Sequence, residues 1–218
     1  MKCSNFNNVS QKQKFLYIYA FVIVVIMLIL FPKLTKELGK TAGYISSYAA
    51  YLILIAAGII IIRPQLKSKA LIKCPHAKLY HCIAFIPAAA TLFAAFIPIA
   101  KDLSVAAAGI SVVYAILNGT LEELFWRGCF NSEFSDSVIF AYLLPTVIFS
   151  CWHIALALAE GMNYSGGNLA LIGGAGFMGL LWGLVAYKTK NIKVVICTHV
   201  LTNFFAFSQL VHQNWFAH

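Results

Sequence analysis

The chain has 218 residues, of which 61% are hydrophobic and only 11% are charged, and its mean hydropathy is +0.82. Soluble domains use about 25% charged residues, so this composition excludes an ordinary soluble protein and indicates a membrane protein. The net charge of +9 does not indicate nucleic-acid binding, because most basic residues lie in short segments between hydrophobic runs and no soluble basic domain is visible.

Apolar runs of about 20 residues, long enough to cross a bilayer, follow one another along the chain. We predict an all-α, polytopic transmembrane helix bundle of about seven helices, within a range of six to eight. A break at Asn118 and Gly119 in the fourth run would change the count. The predicted spans are residues 15–32, 43–62, 82–100, 103–130, 137–160, 168–187 and 192–213.

The distribution of Lys and Arg among the loops predicts that the N-terminus lies inside and the C-terminus outside. Eleven of the sixteen fall on the N-terminal side and four on the other side, while Arg127 lies within a span. The N-terminal side carries Lys2, Lys12, Lys14, Arg63, Lys67, Lys69, Lys73, Lys78, Lys188, Lys190 and Lys193, and the other side carries Lys33, Lys36, Lys40 and Lys101.

The six cysteines show no CxxC spacing and mostly lie in or beside apolar runs, so they are interpreted as small apolar core residues. They are Cys3, Cys74, Cys82, Cys129, Cys151 and Cys197.

The segment TLEELFWRGCF, residues 120–130, places charge within the fourth predicted span. Glu123 and Arg127 stand at positions i and i+4, with Glu first, so their side chains can meet on one helix face. Glu122 points about 100° away and has no partner cation on its own helix. An unpaired carboxylate in a partly wet site is a candidate general base. Glu123 with Arg127 is also consistent with a purely structural ion pair.

Two later spans carry the other polar groups with catalytic potential. Phe149 and His153 lie one turn apart in FSCWHIALA, and His199 and Asn203 lie one turn apart in CTHVLTNFF. At about 1.5 Å per residue, Glu122 and both histidines can converge in the cytoplasmic half of the bilayer and line one cavity. Membrane histidines also serve as hydrogen-bonding partners between helices, and ion-coupled transporters use buried ionisable groups too.

Together, the segments EELFWR, FSCWH and HVLTN resemble the three motifs of the CPBP family, the CAAX-protease and bacteriocin-processing intramembrane endopeptidases also called Abi proteins. The family pattern is Glu-Glu-x-x-x-Arg, then Phe-x-x-x-His, then His-x-x-x-Asn. This chain fills every place without a substitution, with Glu122, Glu123, Arg127, Phe149, His153, His199 and Asn203. The resemblance divides the chain into N-terminal transmembrane helices of unassigned role, residues 1–102, and a CPBP-like catalytic membrane core, residues 103–213.

The resemblance implies a glutamic-type protease that hydrolyses a peptide bond at or within the membrane surface. Glu122 would activate a water that His153 also holds, while His199 and Asn203 would donate hydrogen bonds to the oxyanion. Arg127 would hold the second glutamate, Glu123, and Phe149 would pack beneath His153.

Metal dependence has been proposed for this family, and Glu122, His153 and His199 are the three residues that could bind zinc. Asn203 is a poor zinc ligand and the chain has no HExxH motif, so a metal-free mechanism without a cofactor is favoured.

The family admits CAAX-type C-termini, bacteriocin leaders and C-terminal sorting anchors as substrates. The partners implied are membrane lipid and a protein or peptide with a membrane-associated segment. The small size of the chain and its short connections suggest a prokaryotic plasma membrane as the location. The alternative function is a non-catalytic bacteriocin-immunity protein or an ion-coupled transporter with a buried polar site.

Overall fold

The structure, a computed structural model, describes residues 10–64 and 76–217. These residues form an all-α bundle without strands, which confirms the predicted fold class, and seven of their helices are long and apolar enough to cross a membrane. The seven are α1 (Gln11–Leu38), α2 (Lys40–Ile62), α3 (Ala77–Ile99), α4 (Val105–Glu133), α5 (Ile139–Ala157), α6 (Gly167–Thr189) and α7 (Lys193–Phe216).

The cysteines within the described residues carry free thiols, in agreement with their interpretation as small apolar residues. These are Cys82, Cys129, Cys151 and Cys197. Six residues used in the sequence interpretation, namely Cys3, Cys74, Lys2, Lys67, Lys69 and Lys73, lie outside the described residues.

Contacts between helix ends define one face of the bundle, which we call the N-terminal face. Near the start of α1, the Lys12 Nζ lies 2.7 Å from a carboxylate oxygen of Glu133, at the end of α4. The Tyr17 hydroxyl donates to the carbonyl of Phe140, near the start of α5, over 2.6 Å. The start of α1, the end of α4 and the start of α5 therefore lie on the same side of the bundle, as alternating spans require.

A second set of contacts defines the opposite face. Lys40, at the start of α2, donates from its Nζ to the carbonyl of Asn214, in the last turn of α7, over 2.8 Å. The backbone N–H of Glu160, which follows α5, donates to the hydroxyl of Thr35 in α1 over 2.9 Å. The end of α1, the α5–α6 loop and the end of α7 are thus held together on the opposite face.

The fourth span is continuous through Asn118 and Gly119, so the possible break there does not occur. Gly119 instead marks a place where the backbones of α4 and α7 approach closely: a Cβ atom on Gly119 would lie 2.9 Å from the backbone nitrogen of Val200. The glycine brings α4 against α7 beside the polar residues of both helices.

We expect Gly119→Ala to destabilise the protein by about 1–3 kcal/mol, because the added methyl meets backbone that cannot rotate away. Gly109→Ala is the matched control, since it lies on the same helix and its Cβ would meet nothing within 4 Å. Thermal unfolding in detergent measures both variants. Equal melting temperatures for the two would contradict the close approach of α4 and α7.

Candidate active site

A widened helical turn presents the charged residues of α4. Glu123–Cys129 is a π-helical segment within the span, and such segments are frequent at functional sites. Asn131 supports this turn from the next one, donating from its side-chain nitrogen to the carbonyl of Arg127 over 2.9 Å. The turn places Glu123 and Arg127 inside the bundle, where both are almost completely buried.

Glu123 and Arg127 form a buried ion pair, as the i, i+4 spacing predicted. The Arg127 Nη1 donates to Glu123 Oε1 over 2.8 Å. The Arg127 guanidinium also lies 4.5 Å from the centre of the Phe149 ring, within the range of a cation–π contact, and its Nη2 reaches the carbonyl of Gly179 at 3.4 Å. Contacts from α5 and α6 therefore hold the pair in place.

His199 of α7 connects the two glutamates, a contact that helix spacing did not predict. Its Nδ1 lies 2.7 Å from Glu123 Oε1 and its Nε2 lies 3.5 Å from Glu122 Oε2. The imidazole stacks on the indole of Trp182, with ring centres 4.1 Å apart, and the Trp182 N–H is anchored on the carbonyl of Ala84 at 3.1 Å. Helices α3 and α6 thus fix the orientation of His199.

Tyr51 of α2 binds the other oxygen of Glu122, and sequence analysis did not identify it. Its hydroxyl donates to Glu122 Oε1 over 2.6 Å and accepts a hydrogen bond from the Trp126 indole N–H at 3.1 Å. The Tyr51 ring stacks on Trp152 with centres 3.9 Å apart. Glu122 is therefore held from the first hundred residues of the chain as well as from α7.

A sequence signal for Tyr51 exists in the spacing of tyrosines along α2. Tyr44, Tyr48 and Tyr51 share one helix face, and all three are at most 2% exposed. A buried row of hydroxyl-bearing side chains in an apolar helix indicates polar partners on a neighbouring helix.

His153 of α5 has one ring nitrogen engaged. Its Nδ1 lies 2.9 Å from the carbonyl of Phe149, one turn earlier, and the two rings pack with centres 4.8 Å apart. The imidazole is only partly buried. Its Nε2 is the nitrogen left for other partners, and the Phe149 ring packs against the imidazole as the resemblance implies.

Asn203 of α7 lies against Asn118 of α4, with its Nδ2 donating to the Asn118 side-chain oxygen over 2.6 Å. Both amides are nearly buried. This hydrogen bond lies at the crossing of α4 and α7 that Gly119 permits.

One cavity of about 600 Å³ joins these side chains, and its lining includes Glu122, His153, His199 and Asn203. The structure therefore brings together all four side chains that the sequence singled out as candidate catalytic residues. Glu123 and Arg127 do not line the cavity and lie behind it. Phe149 contributes to its wall.

The candidate zinc ligands do not fit a metal in their observed arrangement. Within residues 10–64 and 76–217, no three His, Cys, Asp or Glu side chains are grouped so that they could hold a metal ion. His199 directs one ring nitrogen to Glu123, and His153 directs one to a backbone carbonyl. Metal independence of the activity remains a prediction.

The fold and the site define a class: a multi-pass integral membrane protein with a buried acid–imidazole–amide cluster that lines one cavity. Residues 104–205 match the family model described as type II CAAX prenyl endopeptidase Rce1-like. This segment contains all seven motif residues and is similar to the CAAX-type intramembrane endopeptidases, in agreement with the motifs. The chain matches no curated protein sequence and no solved structure.

The match supports a membrane protease that acts on a membrane-associated protein. The match does not favour the alternative of an immunity protein or a transporter.

Proposed function

We propose that this protein is an intramembrane endopeptidase in which Glu122 activates a water molecule to hydrolyse a peptide bond of a membrane-associated polypeptide. The observation that carries this proposal is the single cavity lined by Glu122, His153, His199 and Asn203. We further propose a prokaryotic plasma membrane as its location.

Glu122 and His153 act on the water. Glu122 accepts a proton from it, and His153 holds the same water through its Nε2. The resulting hydroxide attacks the scissile carbonyl carbon and forms a tetrahedral intermediate. When the C–N bond breaks, the proton held by Glu122 passes to the departing amine, so that the carboxylate is regenerated.

His199 and Asn203 stabilise the oxyanion that develops on the scissile carbonyl. Because Nδ1 of His199 is directed to Glu123, Nε2 is the ring nitrogen that can face the cavity, and it donates to the oxyanion when both ring nitrogens carry a proton. The Asn203 amide supplies the second donor from the next turn of α7. Removal of one such donor in well-studied hydrolases costs about 3–4 kcal/mol of transition-state stabilisation.

The charges of the buried cluster balance one another in this scheme. Glu122 and Glu123 carry two negative charges, and Arg127 with a doubly protonated His199 would carry two positive charges. A neutral buried cluster avoids the large cost of an unpaired charge in an apolar interior. Glu123 and Arg127 therefore act as positioning residues, because they orient His199 and the turn that carries Glu122.

Tyr51 is a further positioning residue in this proposal. Its hydrogen bond holds Glu122 Oε1, so Oε2 is the oxygen nearer to His199. Tyr51 does not line the cavity, and it acts on the substrate only through Glu122.

We expect Tyr51→Phe to lower kcat by about tenfold or more and to leave KM unchanged, because a hydrogen bond to a charged group is worth about 1.5–3 kcal/mol. Tyr19→Phe is the matched control: its hydroxyl also bonds to α2, at the carbonyl of Leu54 over 2.8 Å, but it is remote from Glu122. Steady-state cleavage assays on both variants measure the effect. A rise in KM with unchanged kcat would contradict a role through Glu122.

The test of the proposed function begins with finding a substrate. Membrane proteomes from cells that express the wild type or Glu122→Gln are compared for polypeptides with shifted termini. Polypeptides shortened only in the presence of the wild type support the endopeptidase. The absence of any such difference, with both proteins present in equal amounts, would count against it.

A further inference from the structure

The cavity extends from the candidate catalytic residues toward the opposite face of the bundle. Besides those residues, its lining includes Tyr164, Ser165 and Gly166 of the α5–α6 loop and Gln213 near the end of α7. Contacts of Glu160 and Asn214 place that loop and that helix end on the opposite face. The open end of the cavity therefore lies away from the N-terminal face.

Aromatic side chains fill the path from Glu122 to the N-terminal face. Trp126 and Phe130, the next turns of α4, are at most 1% exposed and stack with ring centres 6.1 Å apart. Tyr17 packs edge-on against Phe130 at 5.1 Å, close to the ion pair of Lys12 with Glu133. None of these residues lines the cavity. This packed layer separates Glu122 from the N-terminal face.

The side of the cavity opens between α3 and α6. The first half of α3 packs on the second half of α6, where the Trp182 indole bonds the carbonyl of Ala84. Further toward the opposite face, Ala90 and Ala94 of α3 and Phe177 of α6 line the cavity although they are exposed on the bundle surface. The cavity therefore reaches the surface of the bundle between the two helices, at the level of the lipid chains.

The residues that line the cavity favour the binding of an uncharged, extended segment of a polypeptide. Among the lining residues of the described chain, Glu122 is the only Asp, Glu, Lys or Arg. Small side chains of α3 and α6 leave room for a polypeptide backbone beside the site, and Gly174 lies among them. An apolar pocket with a few converging polar groups binds apolar ligands and fixes their orientation.

Charge identifies the side of the membrane on which the cavity opens. Apart from Arg127, which lies within a span, seven of the described Lys and Arg residues lie on the N-terminal face and four lie on the opposite face. The seven are Lys12, Lys14, Arg63, Lys78, Lys188, Lys190 and Lys193, and the four are Lys33, Lys36, Lys40 and Lys101. Lys and Arg accumulate on the cytoplasmic side of membrane proteins. The opposite face is thus the non-cytoplasmic one.

We infer that the substrate reaches Glu122 from the non-cytoplasmic half of the membrane, through the opening between α3 and α6, as an uncharged apolar segment of a polypeptide that has already been translocated. This inference rests on the proposed endopeptidase and narrows its substrate to a polypeptide segment that lies in the non-cytoplasmic half of the membrane.

Two matched pairs of introduced cysteines test this inference, each in a separate variant. A small membrane-impermeant maleimide is added outside intact bacterial cells, and the labelling of each cysteine is measured by mass spectrometry of peptides. Ser165 and Ser135 are exposed serines on the two faces. Gly174 lines the cavity, whereas Gly173 is exposed and outside the lining, and a Cβ has room at both glycines. The natural cysteines stay in place, because each peptide is read separately.

We expect Ser165→Cys and Gly174→Cys to be labelled from outside at least tenfold faster than Ser135→Cys and Gly173→Cys. Labelling of Ser135→Cys from outside, with Ser165→Cys labelled only after permeabilisation, would reverse the orientation and overturn the inference. Failure of Gly174→Cys to react even in permeabilised cells would exclude a water-filled route. Either failure leaves the endopeptidase proposal standing, because wild-type cleavage compared with Glu122→Gln tests that proposal independently.

Discussion

Glu122→Gln should abolish cleavage, lowering kcat by about 10²–10⁴-fold, because a positioned general base contributes that much to proton transfer. Glutamine keeps the shape of the side chain and an oxygen that can accept the Tyr51 hydrogen bond, which is 2.6 Å long in the structure. The variant should therefore accumulate in the membrane and unfold at the wild-type temperature.

The matched control for this variant is Glu160→Gln. Glu160 is exposed on the opposite face and does not line the cavity, so its neutralisation should leave cleavage at the wild-type rate. Assays of both variants in detergent, against a substrate identified from shifted termini, separate loss of the base from loss of charge in general. Full activity of Glu122→Gln would remove this glutamate from the mechanism.

Arg127→Ala should cost about 3–5 kcal/mol of stability, because it leaves a buried carboxylate without its guanidinium partner. Glu123 is completely buried, and the ion pair is 2.8 Å long. The variant also loses the cation–π contact with Phe149. We expect reduced yield of folded protein and a lower melting temperature together with loss of activity.

Lys12→Ala is the control for this second prediction, since the Lys12–Glu133 pair is 2.7 Å long but its lysine side chain is 46% exposed. Surface pairs of this kind are worth about 0–1 kcal/mol. The double variant Glu123→Ala/Arg127→Ala should regain part of the stability without regaining activity. A normal melting temperature for Arg127→Ala alone would contradict the prediction and would show that the contact of His199 with Glu123 is sufficient to offset the buried carboxylate.

Helix spacing was sufficient to predict the ion pair of Glu123 with Arg127, which follows from the geometry of a single helix and is observed. The packing of Phe149 against His153, which the family resemblance implies, is observed as well. Hydropathy likewise predicted the seven spans. Their ends differ by a few residues, as in α1, predicted at 15–32 and observed at Gln11–Leu38, because helices continue past the apolar stretch into polar residues.

Contacts between helices could not be predicted in the same way. His199 meets Glu123, and Tyr51 meets Glu122, only because α7 and α2 pack beside α4 with particular rotations. Periodicity states which side chains share a face but not which helix that face meets. The motif pattern supplied the grouping of Glu122 with both histidines and Asn203, while the contact of Tyr51 lies outside the matched residues 104–205.

The hydrogen bond from Tyr51 has a consequence for protein engineering. The family-matched segment is not a transplantable module, since a chimera that joins it to foreign leading helices would leave one oxygen of Glu122 without its donor. Such a hybrid could fold and still be inactive. A tyrosine introduced into the foreign second helix, at the position that corresponds to Tyr51, would be the first substitution to test.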